Sequence, residues 1–167
     1  GSSLASATEA LLAGGWEQTT AGGWEKEIDD VRVPLAVTIT TANVAPFEAT
    51  AEAVAAAWDE LGVDVSLALY EQSDLVQAVI RPRDYELLLF GTEVGRQLDL
   101  YPFWHSSQRE DPGLNVALYT NISVDETLEA YRPSQDPAEQ EKLLSTFLSE
   151  ITTDQPAIFL FTPAFTY

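Results

Sequence analysis

The chain has 167 residues, of which 46% are hydrophobic, and a formal charge of −19 from 27 acidic and eight basic side chains. That composition supports one well-cored domain and excludes a disordered chain. The acidity argues against nucleic-acid backbones and anionic membrane surfaces as partners, and the lack of cysteine excludes disulfides, thiolate metal sites and a cysteine nucleophile.

Gly1-Ser2-Ser3 reads as an expression scar, which leaves residues 4–167 as a single α/β lobe. Leu4 to Leu12 is a helix candidate stopped by Gly14-Gly15. The Gly-Gly-Trp-Glu step recurs at Gly22-Gly23-Trp24-Glu25, where it reads as a turn, with each Trp covering an edge of the core. Leu35 to Thr41 alternates branched residues after Pro34 and reads as a strand. Phe47, Ala51, Val54, Trp58 and Leu61 recur every three or four positions, the pattern of one buried helical face, and Gly62 ends that helix.

Val63, Val65, Leu67 and Leu69 alternate as a second strand. Ser73 is positioned to cap a short helix running to Ile80, and Tyr85 to Phe90 has the continuous apolar character of a central strand buried on both faces. Ser123-Val124-Asp125-Glu126 and Asp136-Pro137-Ala138-Glu139 both have capping-box spacing and predict two further helices. The second is expected to bury Leu144, Phe147, Leu148 and Ile151, and Ala157 to Phe161 reads as a last apolar strand. Strands alternating with helices predict an α/β fold with a mixed sheet flanked by helices.

The segment most open to chemistry is the long loop from Gly91 to Asn121, because ligands in open α/β sheets gather beyond the carboxyl ends of strands. Phe103 and Trp104 read more simply as core anchors than as ligand stackers. His105 is the single histidine and adjoins serines, but adjacency in sequence is not a triad geometry. There is no nucleophile elbow and no phosphate-binding glycine loop, and one histidine without cysteine is a poor basis for zinc. No catalytic residue, metal site or cofactor is therefore expected. A hydrolase with paired carboxylates stays open as an alternative, because such pairs are spaced in three dimensions. Asn121-Ile122-Ser123 matches a glycosylation sequon that overlaps a helix cap.

In collinear order, "LLAGGW", "PLAVTITT", "AEAVAAAWDELGVDVSLAL", "RDYELLLFG", "YPFWHSSQ", "GLNVALYTNISVDETLEAYR" and "DQPAIFLF" resemble family 5 extracellular solute-binding proteins. These are the oligopeptide, dipeptide and nickel-type receptors of ABC importers, and the resemblance runs from Ala7 to Phe161. It implies lobe II, the C-terminal lobe, of a periplasmic-binding-protein-like (type II) fold, with a small solute such as a peptide held in an interlobe cleft. It also implies a missing N-terminal lobe, an ABC permease as partner, and a periplasmic or cell-surface lipoprotein location. Glu93, Tyr101, Trp104, His105, Ser106 and Asn115 become the candidate ligand contacts. Peptide-binding members commonly carry an aspartate in this loop for the peptide amino group. The matching position here is Gly95, with Glu93 and Asp99 two or more residues away. An extracellular interaction domain derived from such a receptor is the alternative from another class.

Overall fold

A computed structural model describes residues 3–92, 94 and 98–162. The chain divides into two compact units, one of Gly1–Ile80 with Asp84–Gly91 and the other of Arg81–Arg83 with Thr92–Tyr167.

The first unit opens with helix α1 (Leu4–Ala13), started by Ser3, whose hydroxyl accepts the Ser6 N–H at 3.2 Å. Strands β1 (Glu17–Gln18), β2 (Trp24–Ile28) and β3 (Val31–Pro34) then form a small antiparallel sheet in that order. The sequence pattern does not foresee it: only the turn at Gly22-Gly23 is expected, and β2 leaves directly from that turn. Trp24 is buried and its indole N–H donates to the Leu61 carbonyl at 2.7 Å, while Trp16 is half-buried.

The main sheet of this unit is parallel. Strand β4 (Ala36–Ala42) pairs with β5 (Asp64–Tyr70) from Ala36 opposite Asp64 to Ala42 opposite Tyr70, joined through helix α2 (Ala45–Asp59). Thr40, Thr41 and Ile39 are buried in β4, and the Thr41 hydroxyl donates to the Leu89 carbonyl at 2.9 Å. The turn out of α2 needs glycine at position 62: φ is +89°, and a Cβ there would lie 2.1 Å from the Gly22 carbonyl oxygen.

After β5, a short helix α3 (Gln72–Asp74) continues into a π-helical turn, Leu75–Ile80. Its N-cap is Glu71 and not Ser73, so the Ser73 cap is corrected. Tyr85 to Phe90 is also corrected. Only Leu87–Leu88 ladders as strand β6, and the sheet order β5-β4-β6 makes β4 the central strand. Among the described residues β6 is an edge, half-buried where two-sided burial is expected.

The second unit starts with short turns and a four-residue helix, α4 (Tyr101–Trp104). Two longer helices follow, α5 (Ile122–Tyr131) and α6 (Pro137–Asp154), and they pack on each other. Tyr119, Val124, Leu128, Phe147 and Ile151 form the core of this unit. The cap of α5 is Asn121, whose Oδ1 accepts the N–H groups of Ser123 and Val124, displacing the expected Ser123 by two residues. The Asn121 amide N–H₂ donates to the Glu150 and Asp154 carboxylates at 3.3 and 2.8 Å.

Asp136 caps α6 and Pro137 opens it, as expected, but Glu139 accepts from Ser134 Oγ at 2.6 Å. Leu148 is 52% exposed, against the expected burial. Ala157 to Phe161 forms no strand, because no neighbouring strand lies beside it among the described residues; its large side chains are left in solvent. The architecture is mixed α/β, with sheets flanked by helices.

Candidate functional site

The loop after β6 contains the candidate residues, and from Thr92 onward its described part lies in the second unit. Glu93 and Gly95 lie outside the described residues. Asp99 is committed to structure: Oδ1 accepts the Tyr101 N–H at 3.3 Å, and Oδ2 accepts from Arg132 at 2.9 Å. Pro102 stands in the first turn of α4 and favours its start there.

Trp104 faces the core, edge-on to Tyr119 and Phe147 with ring centroids 6.3 and 6.1 Å away, and tilted against Phe159 at 6.0 Å. Tyr101 stacks on the His105 ring at 4.1 Å, and the Arg132 guanidinium lies 4.4 Å from the Tyr101 ring centre. The Tyr101 hydroxyl is 3.3 Å from Ser107 Oγ.

His105 is buried and caps a 3₁₀ turn, Ser106–Gln108. Its Nδ1 accepts the Ser107 N–H at 3.1 Å and lies 2.8 Å from Ser107 Oγ. An accepting Nδ1 assigns the ring proton to Nε2. Among the described residues that nitrogen has no hydrogen-bond partner, and it sits 3.4 Å from Glu129 Oε1 and 3.9 Å from Asp125 Oδ1. The set contains serine, histidine and acid, yet the lone pair a general base would use already receives the Ser107 backbone N–H. The arrangement is a helix cap. Ser106 N–H and Oγ both donate to the Asp125 carboxylate, tying the turn to α5.

Asn115 is fully buried and organises the loop. Its amide N–H₂ reaches the carbonyls of Trp104, His105 and Tyr119 at 3.4, 3.1 and 2.9 Å, and its Oδ1 accepts the Tyr119 N–H at 3.1 Å. Arg83 adds two more ties, donating to the carbonyls of Arg109 and Gly113 at 2.8 and 2.7 Å. The chain then turns so tightly that a Cβ at Gly113 would lie 2.2 Å from the Gln108 carbonyl oxygen. Neither Arg83 nor Gly113 stands out in the sequence, because their partners are main-chain atoms.

Tyr119 donates to Asp154 at 2.6 Å. Burial pushes its phenol up to about 12, and the Asp154 carboxylate adds to the rise. In return the Tyr119 phenol and the Asn121 amide hold the Asp154 carboxyl below its usual range.

The structure thus brings Tyr101, Trp104, His105, Ser106 and Asn115 into one cluster. A separate cavity of about 430 Å³ is lined by Asp99, Tyr131, Arg132, Ser134, Gln135 and Gln140, and none of the five lines it. Among the described residues no group of three or more His, Cys, Asp or Glu side chains is arranged to hold a metal ion.

No family model matches the chain, and no curated protein sequence matches it. Solved structures do. The oligopeptide-binding protein AppA of Bacillus subtilis, in complex with a nonapeptide, superposes with a TM-score of 0.80 at 26% identity, over 90% of this chain and 29% of its own. This is the fold of family 5 solute-binding proteins. The oligopeptide-binding protein of Thermus thermophilus, complexed with a pentapeptide, gives 0.82 at 15% identity over 92% of this chain and 28% of its own. NikZ of Campylobacter jejuni, in complex with Ni(L-His), gives 0.78 at 18% over 92% and 31%. The chain spans less than a third of each of these binding proteins. No helix among the described residues is long and apolar enough to cross a membrane.

Proposed function

We propose that the chain is the C-terminal lobe of an ABC-importer solute-binding protein and captures a peptide or other small solute in a cleft between two lobes. The supporting observation is the match over nine-tenths of the chain to less than a third of receptors that hold a nonapeptide, a pentapeptide or a nickel complex. Hinge closure of one lobe on the other then traps the solute and presents it to a membrane permease. The loop contributes this lobe's half of the site. Tyr101 and Glu93 are the residues we assign to direct contact. Trp104, His105, Ser106 and Asn115 hold the loop in the shape that makes contact, since they bond the loop's main chain and the Asp125 carboxylate of α5 and pack on Phe147 of α6.

Half a cleft binds weakly, because affinity arises from surfaces on both sides. Isothermal calorimetry with di- to nonapeptides and with a nickel–histidine complex, on this chain and on the whole gene product, tests the reading. The whole product is expected to bind at least roughly 100-fold more tightly than the chain alone. Equal, tight binding by the isolated chain would overturn the half-site arrangement.

A further inference from the structure

The cavity that Asp99 and Arg132 share lies wholly in the second unit, with Tyr131, Ser134, Gln135 and Gln140 as its other walls. At about 430 Å³ it falls within the ~300–1,000 Å³ that small-solute sites occupy. In a chain with 27 acidic and eight basic side chains, this lining is one cation, one acid and four neutral polar groups.

The walls are fixed before any solute arrives. The Ser134 hydroxyl donates to Glu139 at 2.6 Å and the Gln140 amide donates to the Ser134 carbonyl at 2.8 Å, which ties down the turn between α5 and α6. The Arg132 guanidinium is held against the Tyr101 ring at 4.4 Å and donates to Asp99 Oδ2 at 2.9 Å. The two side chains of that ion pair are 48% and 39% exposed, so the pair is too weak to saturate the cation. A guanidinium has five N–H groups; one goes to Asp99, and no other described residue takes a hydrogen bond from the rest. Both oxygens of Asp99 already accept N–H groups, from Tyr101 and Arg132, which blunts its repulsion of an anion.

We propose that this cavity binds the carboxylate of an amino-acid-sized solute, with Arg132 as the anchor. A planar guanidinium fixed in advance matches the two oxygens of a carboxylate and loses little rotamer freedom on binding. The Gln135 amide and the Tyr131 hydroxyl line the same cavity, have no side-chain partner among the described residues, and can donate to the solute. One carboxylate carries the single charge that one guanidinium offsets. A phosphate dianion would bring an excess charge into a chain that already carries −19. The inference goes beyond the two-lobed reading: all six lining residues belong to the second unit, so the site is complete without a second lobe.

Two-dimensional amide NMR of this chain decides the matter, with N-acetylglycine as the probe and N-acetylglycinamide as its uncharged analogue. N-acetylglycine is expected to shift the amides of Tyr131, Arg132, Ser134 and Gln135 with a Kd on the order of 1 mM. N-acetylglycinamide, and sodium chloride at equal ionic strength, are expected to leave them in place. Arg132→Gln is expected to abolish the response. Because that change also releases Tyr101 and Asp99, Gln135→Glu is the second variant, placing a like charge in the cavity at an exposed position. It is expected to weaken binding at least roughly 10-fold with unchanged circular dichroism. Equal shifts from the amide or from chloride overturn the inference, as does tighter binding of inorganic phosphate or a response that survives either variant. The outcome is separate from the calorimetry above, which compares the chain with the whole gene product.

Discussion

Between β4 and β5, seven residues of one strand meet seven of the other in unbroken parallel register, and buried side chains such as Ile39 fill the space on the sheet. Between residues 98 and 121 the chain has only a four-residue helix and one 3₁₀ turn, yet Asn115, Arg83, His105 and Ser106 tie it down through side-chain bonds to main chain and to Asp125. The first region is held by repetition of one interaction, and the second by a few polar side chains with unique partners. A loss in the sheet is therefore graded by volume, whereas a loss in the loop leaves buried carbonyls and N–H groups without partners.

The largest expected effect tests the sheet. Ile39→Ala removes a buried side chain from the central strand and is expected to cost about 3 kcal/mol in urea denaturation. A cost near that of an exposed position would remove the sheet's side of the contrast. Next comes the loop hub. Asn115→Ala strands the carbonyls of His105 and Tyr119 and the Tyr119 N–H, at a cost of about 2 kcal/mol, with faster amide exchange at Tyr119. If exchange at Tyr119 stays unchanged, the hub is not what holds the loop.

The smallest effect is in pH dependence. A phenol raised in the folded state contributes stability that is complete below its ordinary value of about 10 and is lost as pH rises toward its folded value of about 12. Asp154 is shifted the other way. Its contribution is present above the ordinary carboxyl range and is lost as pH falls below it. Absorbance titration in the near ultraviolet is expected to show one tyrosine ionising at about 12, and Tyr119→Phe is expected to remove that step and flatten the acid limb of stability.

The same contrast explains what could be read in advance. β4, α2 and β5 were legible because their apolar residues follow a strict period, and Phe47, Ala51, Val54, Trp58 and Leu61 are the less exposed face of α2 and its exit turn. β2 was not, since Glu25, Lys26 and Glu27 break any apolar alternation and its pairing depends on β1 and β3. The α5 cap slipped because Asn121 and Ser123 both suit the position, and only the backbone decides. Ala157 to Phe161 has strand composition without a strand, because a ladder takes two partners and the pattern of one segment specifies only itself. In the loop, Tyr101, Trp104, His105, Ser106 and Asn115 cluster, but the roles of Asn115 and Arg83 follow from carbonyls distant in sequence or unmarked by any side chain.

The Asn121 side chain has a consequence of another kind. Its oxygen caps α5 and its nitrogen is shared between Glu150 and Asp154, so the atom that a sugar would join is already engaged once the helices have met. Attachment of a glycan at the Asn121-Ile122-Ser123 sequon would have to come before α6 docks, while the chain is still emerging. The order of events during synthesis, and not the presence of the tripeptide, governs whether that site is ever used.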